Sequence, residues 1–211
     1  LFLSWDLSHY RKICHLSQVF VQFLNYFDSF PARDAQYSMF EHRVLCDSIF
    51  SREKSTYENV PTPFHPTDWW FFGLTEDLKL YFLETPIVQE PRFSNYNHLY
   101  PEKSPAPQCK MQFYPEQYLC SEAFKRKFYD ISFKDWSDWN NINFKQSEIC
   151  MTNNFIFLDY YQHGIYTLKY LKTIKRDIDF NTKIAGLYSF KIFVGDYMKY
   201  CDSSYKLPLH I

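Results

Sequence analysis

The chain has 211 residues, enough for one domain with a hydrophobic core and too few for two ordinary domains. Its 23 Lys and Arg residues against 24 Asp and Glu give a net charge of −1, so the sequence lacks the positive excess that nucleic-acid binding requires. With 4 glycines it also has no glycine-rich phosphate-binding loop. No apolar stretch reaches the roughly 18 residues of a membrane helix, and we expect a cytoplasmic protein without nucleic-acid partners.

Aromatic and cysteine residues are the two unusual features of the composition. Phe, Tyr and Trp make up 21% of the chain, and two interpretations are open: core filling, or stacking platforms for sugars or bases. The 6 cysteines are scattered without a C-x-x-C pair. They predict reduced, buried thiols rather than a disulfide framework or a zinc site.

The first third of the chain predicts a helix followed by a strand. Apolar residues recur at a helical period between residues 8 and 30, and Pro31 ends that helix. Residues 43–50 are apolar and rich in β-formers at their start, which predicts a strand.

The next predicted unit is a strand joined directly to a helix. The bulky residues 68–73 predict a buried strand. Thr75 then offers a side-chain oxygen as helix N-cap, and Glu76 and Asp77 occupy the first turn of a helix that ends before Pro86.

The second half of the chain alternates between predicted helices and strands. In order, it predicts a long loop over 86–114, a helix that begins at Pro115, a short strand over 131–133, a strand over 154–159 and a helix over 164–175. We recognise no motif from residue 180 onward. The alternation predicts an α/β fold, with fewer strands than a complete doubly wound domain has.

The segment Phe64–Lys79 concentrates the residues that suggest chemistry. A buried aromatic strand ends at Gly73, which is predicted to let a ligand approach the backbone closely. The following helix begins with two carboxylates, and its amino-terminal end is predicted to lower a carboxylate pKa and keep the group charged. The alternative interpretation takes Glu76 and Asp77 as ordinary first-turn helix acids.

Several segments, in a specific order over residues 20–172, are similar to segments of one known family. They are Phe23-Leu-Asn-Tyr-Phe-Asp-Ser-Phe-Pro31, Phe40-Glu-His-Arg-Val44, His65-Pro-Thr-Asp-Trp-Trp-Phe-Phe-Gly-Leu-Thr-Glu-Asp-Leu78, Pro115-Glu-Gln-Tyr118, Phe133-Lys-Asp-Trp-Ser-Asp138, Asn154-Phe-Ile-Phe157 and Gln162-His-Gly-Ile165. Together they resemble the WavE lipopolysaccharide synthesis family.

The resemblance implies an A-type nucleotide-sugar glycosyltransferase with a Rossmann-like mixed sheet and flanking helices. Position by position, Gly73 matches the glycine loop of such enzymes, and Glu76 and Asp77 match their x-E-D motif. Asp77 would then be the catalytic base that deprotonates the acceptor hydroxyl. Asp68 and Trp69 would form the floor of the acceptor site.

The resemblance also implies a divalent metal, Mg²⁺ or Mn²⁺, near the donor phosphates. His163 is the candidate for a late metal-binding His, with His65 as a second candidate, and Asp6 follows an apolar segment as a metal-binding Asp does. A hydrogen-bonded structural role for His163 is the alternative. Glu116 and Gln117 open a helix across the proposed cleft, where they would either bind acceptor hydroxyls or only cap the helix.

The start of the chain departs from the family pattern, in which nucleotide-binding strands come first. We therefore expect the carboxyl-terminal two-thirds of such an enzyme, lacking much of the nucleotide-binding half, as a single domain. Its parts would be a divergent start over residues 1–20, a family-like core over 21–172 and a tail over 173–211.

The leading hypothesis is a sugar transferase for lipopolysaccharide or surface polysaccharide synthesis. It would use a nucleotide-sugar donor and an oligosaccharide or lipid-linked saccharide acceptor. It would work in the cytoplasm, with peripheral association at the inner membrane. Two alternatives stay open: a non-catalytic carbohydrate-binding or assembly module, and an inactive truncated remnant.

Overall fold

A computed structural model of the chain describes seven stretches, namely residues 2–5, 17–48, 63–66, 70–84, 115–133, 140–163 and 188–208. The predicted loop over 86–114 and the predicted helix over 164–175 lie outside these stretches. So do three of the candidate site residues, Asp6, Asp68 and Trp69.

Four short strands form one mixed sheet in the order β1-β3-β2-β4. They are β1 (Phe2–Trp5), β2 (Val44–Asp47), β3 (Phe71–Leu74) and β4 (Phe155–Leu158). β1 pairs with β3 in parallel, β3 with β2 antiparallel, and β2 with β4 in parallel. The strands β1 and β3 therefore finish at one end of the sheet, called here the β3 end, and β2 and β4 finish at the opposite end, the β4 end.

Helices pack against this sheet and against one another. Within the described stretches they are α1 (Ser17–Ser29), a 3₁₀ turn (Ala35–Tyr37), α2 (Thr75–Phe82), α3 (Pro115–Lys127), α4 (Asn141–Asn154), α5 (Tyr160–His163) and α6 (Phe190–Tyr200). Mixed strands with packed helices confirm the predicted α/β class. The arrangement is consistent with part of a Rossmann-like fold.

Two local predictions are wrong. Residues 131–133 form no strand, although Ile131 and Phe133 are both buried, and this alternate burial imitates a strand in the sequence. The N-cap of α2 is Leu74 in extended backbone conformation, so Thr75 is the first helical residue and not the cap.

Aromatic side chains make up much of the hydrophobic core. The ring of Phe30 shows the packing: its centroid lies 4.9 Å from that of Phe193, 5.1 Å from that of Tyr197 and 5.1 Å from that of Tyr205. Each such aromatic pair contributes about 0.5–1.5 kcal/mol beyond the burial of its surface. In the described stretches the aromatic excess thus serves core packing.

Of the four cysteines in the described stretches, three are buried as the sequence predicts, and Cys201 is not. Cys46, Cys120 and Cys150 are buried and free, and Cys201 is free and partly exposed. Burial raises the pKa of the Cys46 and Cys150 thiols well above the ordinary value, so these side chains stay protonated and act as small core residues.

Asn154, the last residue of α4, fixes the chain that leads into β2. Its Oδ1 accepts the backbone N–H of Met39 at 2.6 Å and that of Phe40 at 3.3 Å. Its Nδ2 donates to the carbonyls of Tyr37 at 2.7 Å and Cys150 at 2.8 Å. The buried amide is fully hydrogen-bonded, and it positions the backbone just ahead of the residues that form the candidate site.

Candidate functional site

Asp77 lies at the β3 end of the sheet, in the first turn of α2, and its side chain points inward. The residue is only 4% exposed. Its Oδ1 accepts the backbone N–H of Glu41 at 2.7 Å, and its Oδ2 accepts that of His42 at 3.0 Å. Asp77 therefore joins the start of α2 to the segment that enters β2, and each of its oxygens keeps a further lone pair.

The pKa of the Asp77 carboxyl is raised above its ordinary value. Burial is the largest cause, because it penalises the charged form, and the two backbone N–H bonds oppose it by favouring the charged form. The predicted lowering of this pKa is therefore wrong, since the side chain is buried beneath the Glu41–His42 segment. A raised pKa makes the ionised carboxylate a stronger base.

Glu76, the neighbouring acid on α2, lies in solvent. Its side chain is 80% exposed, and its Oε1 lies 2.8 Å from Lys79 Nζ. Exposed pairs of this spacing stabilise a helix by only about 0.2–0.5 kcal/mol. Of the two acids in this motif, Asp77 alone is directed into the protein.

Gly73 lies in β3 against Val44 of β2. A Cβ at this position would come within 3.0 Å of Val44 Cγ2 and 3.6 Å of Val44 Cα. The close approach that this glycine permits is thus made by a neighbouring strand. Strand packing accounts for a glycine here, and the approach of a ligand to Gly73 stays a prediction.

A pocket of about 140 Å³ lies beside the segment that Asp77 holds. Its polar wall consists of Glu41, His42, Arg33 and Arg43. Because Asp77 accepts the backbone N–H groups of Glu41 and His42, its carboxylate lies directly behind this wall.

The rest of the pocket is apolar and comes from the end of α1 and the residues after it. Phe27, Phe30 and Pro31 form this wall. The ring of Phe27 stacks on that of Phe72 in β3, with centroids 6.1 Å apart, which fixes the wall against the sheet. One apolar and one polar wall suit a ligand with both kinds of surface, as a sugar ring has.

Arg43 is almost fully buried, and main-chain carbonyls hold its guanidinium. It donates to the carbonyls of Thr152 at 2.8 Å, Ala32 at 2.7 Å and Phe30, and its Nη2 lies 3.5 Å from Cys201 Sγ. Burial lowers the pKa of Arg43 to about 10. The group therefore stays charged at neutral pH.

Arg33 is held in the same way, by the carbonyls of Asn153 at 3.0 Å, Glu41 at 2.7 Å and Phe40 at 2.7 Å. Burial lowers its pKa, and the charge of Asp77 opposes that change. Within the described part of the chain, neither Arg33 nor Arg43 forms an ion pair with a carboxylate.

A second polar cluster lies at the β4 end of the sheet. Asp47, the last residue of β2, is fully buried, and its Oδ2 accepts the indole N–H of Trp70 at 3.0 Å. The same oxygen lies 3.1 Å from His163 Nε2, and the imidazole packs edge-on against Trp70 with centroids 4.9 Å apart. This environment corresponds to the structural interpretation of His163.

The structure does not bring Asp77 and His163 together. Asp77 binds the backbone of His42, whereas His163 lies beside Asp47, five residues further along the chain. Five residues of extended chain span on the order of 15 Å. Metal–ligand distances are about 2.0–2.6 Å, so the two side chains do not share one ion.

The predicted metal site lies only partly within the described residues. Trp5 of β1 pairs with Leu74, so β1 finishes at the sheet end opposite His163, and Asp6 lies outside the described stretches. Among the residues that the structure describes, no three His, Cys, Asp or Glu side chains are placed to hold a metal ion together.

Glu116 and Gln117 of α3 face the short segment 63–66. The fully buried Gln117 Nε2 donates to the carbonyl of Pro63 at 2.9 Å, and Glu116 Oε2 lies 3.7 Å from His65 Nε2. Phe64, which lies between Pro63 and His65 in the sequence, has a φ of 56°, an uncommon conformation for a residue other than glycine. Neither Glu116 nor Gln117 lines the pocket, and both hold this turn in place.

Sequence reasoning missed three charged residues that the structure places at the two clusters. Asp47 had a usable signal, since it directly follows the apolar residues of a strand, where ligands bind in parallel α/β sheets. Arg33 and Arg43 gave no local signal, because their partners are main-chain carbonyls, several of them far away in the sequence.

These features define a mixed α/β protein with a polar pocket beside a buried carboxylate. The family model described as WavE lipopolysaccharide synthesis matches residues 17–209. The chain therefore belongs to the WavE lipopolysaccharide synthesis family, and the match extends beyond residue 172 to include α6. No curated protein and no solved structure matches the chain. None of the described helices combines the length and the apolar character needed to cross a membrane.

Proposed function

We propose that this member of the WavE family is a glycosyltransferase that moves a sugar from a nucleotide-sugar donor to a saccharide acceptor. Family membership supports the setting, which is lipopolysaccharide synthesis. The observation that carries the proposed chemistry is the position of the Asp77 carboxylate, directly behind the Glu41 and His42 wall of the pocket.

In this proposal Asp77 is the base of an inverting transfer. The acceptor hydroxyl gives its proton to a lone pair of Asp77 that the backbone N–H groups leave open. The hydroxyl oxygen bonds to the anomeric carbon of the donor while the bond from that carbon to the diphosphate breaks, and the nucleoside diphosphate leaves. Burial raises the pKa of Asp77, which supports this role because a base works best with a pKa nearer to the working pH.

The acceptor in this proposal is an oligosaccharide or a lipid-linked saccharide. With a lipid-linked acceptor the reaction would take place at the cytoplasmic face of the inner membrane. The family resemblance adds Mg²⁺ or Mn²⁺ at the donor phosphates. The proposal assigns no step to the metal, because the described residues provide no fitting set of ligands.

A second candidate function has its own supporting observation. Both oxygens of Asp77 already accept backbone N–H groups, and the residue is nearly inaccessible. These contacts suit a carboxylate that only positions the Glu41–His42 segment. Asp77 would then shape the pocket of a carbohydrate-binding or assembly module that catalyses no transfer.

Nucleotide release from donor sugars separates the two candidates. The chain is incubated with a panel of nucleotide sugars, with and without Mg²⁺ or Mn²⁺, and free nucleotide is measured. Without an acceptor, a transferase slowly hydrolyses at least one donor. With a saccharide acceptor it releases nucleotide faster, because the sugar is then transferred to the acceptor hydroxyl. A binding module retains saccharides but releases no nucleotide from any donor, and that result would overturn the proposal.

A further inference from the structure

The walls of the pocket carry more positive than negative charge. Among the described lining residues, Arg33 and Arg43 contribute two guanidinium groups against the carboxylate of Glu41, and His42 adds an imidazole that can form a hydrogen bond. The carboxylate of Asp77 is not part of this lining, because it lies behind the wall, where both of its oxygens accept backbone N–H groups. The lining itself therefore presents more positive than negative groups to a ligand.

Both guanidinium groups have N–H donors that their contacts within the described residues do not engage. Each carries five N–H donors in a fixed plane. Within the described part of the chain, Arg33 makes three hydrogen bonds, so two of its five donors have no partner there. By the same count over the described residues, the carbonyl and sulfur contacts of Arg43 engage four of its five donors. A cation removed from water is unfavourable unless an opposite charge and hydrogen bonds offset the loss, so an anionic ligand would complete this arrangement.

The size and the second wall restrict the form of that ligand. A volume of about 140 Å³ is below the roughly 300–1,000 Å³ of sites that enclose a whole small molecule. It suits one charged group together with the adjoining carbons. The apolar wall of Phe27 and Pro31 would face those carbons, as aromatic and proline surfaces face the C–H groups of a sugar ring.

We propose that this pocket binds the carboxylate or phosphate group of an acidic sugar in the acceptor. The inference rests on the proposed function, because it makes the bound saccharide the acceptor of the transfer. Anchoring the anionic group against Arg33 and His42 would hold a neighbouring hydroxyl of the same sugar on the side of the wall where Asp77 lies. Charge on the acceptor would thereby decide which sugars are extended.

Direct binding to the full chain tests the proposal without a donor. Glucuronate, glucose 6-phosphate and glucose are titrated by isothermal calorimetry or ligand-observed NMR at equal ionic strength. Both charged sugars are expected to bind at least about 10-fold more tightly than glucose, because charge-assisted hydrogen bonds are the stronger ones. Equal affinity for glucose would overturn the proposal. Inorganic phosphate binding as tightly as glucose 6-phosphate would also overturn it, since the sugar ring would then contribute nothing.

Variants locate the binding in this pocket. Arg33→Gln is expected to weaken the charged sugars about 10- to 100-fold and to leave glucose unchanged. Arg126→Gln is the matched control, because Arg126 is exposed on α3, where it donates to the carbonyl of Leu80. If the control weakens the charged sugars as much as Arg33→Gln does, the pocket is not the site.

A second variant keeps the proposal testable if Arg33→Gln fails to fold. His42 is exposed, and its backbone N–H, not its imidazole, makes its hydrogen bond to Asp77. His42→Ala should therefore fold normally and still weaken the binding of the charged sugars several-fold, and unchanged binding would count against the proposal.

Nucleotide release measured beside these titrations separates this proposal from the proposed transferase function. Turnover of a donor with no preference for charged sugars overturns the pocket assignment alone, whereas charged-sugar binding without any turnover overturns its role as an acceptor site.

Discussion

The indole N–H of Trp70 donates to the fully buried carboxylate of Asp47 at 3.0 Å. This bond joins the residue just ahead of β3 to the last residue of β2, two strands that run in opposite directions. His163, after β4, completes the cluster from the other side. The β4 end of the sheet is thus closed by polar contacts between three segments that are far apart in the sequence.

A double-mutant cycle between Asp47→Ala and Trp70→Phe measures that contact. Each single variant is expected to lower the free energy of unfolding by about 1–3 kcal/mol, because it removes one member of a buried hydrogen bond. The double variant should lose less than the sum, with a coupling energy of about 0.5–3 kcal/mol. Urea denaturation followed by circular dichroism gives the values. Trp70→Phe combined with Glu122→Gln, whose carboxylate pairs with Lys125 instead, should be additive.

The proposed base has a specific kinetic signature. Asp77→Asn should lower kcat about 10²- to 10⁴-fold while donor binding is retained, because the amide accepts no proton at neutral pH. The same substitution also disturbs one of the two backbone hydrogen bonds, so thermal unfolding is measured in parallel. Glu122→Gln makes the same carboxyl-to-amide change on α3. A variant at Asp77 that is less stable but turns over normally would assign the residue to positioning alone.

Asp77 should also leave a mark on the pH dependence of stability. Its folded-state pKa is raised, so the folded protein holds this proton more tightly than the unfolded chain does. The resulting stabilisation is present below the unfolded pKa of about 3.9 and is lost as the pH rises through the folded pKa. Asp77→Asn does not titrate. The free energy of unfolding of the wild type relative to Asp77→Asn should therefore fall as the pH rises above about 4, in urea titrations at a series of pH values. A relative stability that rises over this window would mean that the pKa is lowered.

Replacing each of two glycines by alanine should change the free energy of unfolding in opposite directions. Gly73→Ala places a methyl group 3.0 Å from Val44 Cγ2 between two strands, and is expected to cost about 1–3 kcal/mol through overpacking. A Cβ at Gly195 in α6 meets nothing within 4 Å, so Gly195→Ala should gain about 0.5–1 kcal/mol from helix propensity. Melting temperatures of the two variants test this pair. A stable Gly73→Ala would show that β2 and β3 can separate at this point without loss.

The sequence predicted those elements whose signals are local. Strand β4 occupies Phe155–Leu158 of the predicted 154–159, and β2 occupies Val44–Asp47 of the predicted 43–50. The described range of helix α3, Pro115–Lys127, falls within the helix predicted from Pro115 onward, where proline suits a first helical turn because it lacks the N–H that this turn leaves unused. In each case a single stretch contains the whole pattern.

Helices α4 and α6 escaped prediction for physical reasons that differ. Apolar and polar residues alternate around α4 without a single apolar face, because most of the helix is buried and its buried Asn side chains bond to distant backbone. For α6 the signal existed: Ser189 accepts the backbone N–H of Ile192 as an N-cap, ahead of an apolar stretch.

In the candidate site, too, the features set by neighbouring residues could be predicted and those set by distant residues could not. The place of Asp77 in the first turn of a helix could be predicted, since strand, glycine and acids are consecutive. Its partners could not, because Glu41 and His42 precede it by 36 and 35 residues and contribute only main-chain N–H groups, which no side-chain pattern reveals. The sign of its pKa shift depends on that burial and was therefore mispredicted.

The packing of Phe30 against distant residues affects how the chain folds during its synthesis on the ribosome. Three of the aromatic neighbours of Phe30, namely Phe193, Tyr197 and Tyr205, are translated more than 160 residues after it. A nascent chain that has not yet reached residue 205 lacks part of this packing, so the ring of Phe30 is exposed to solvent and to chaperones. Release of a prematurely stopped product should therefore yield a protein prone to aggregation, however much of its sheet has been synthesised.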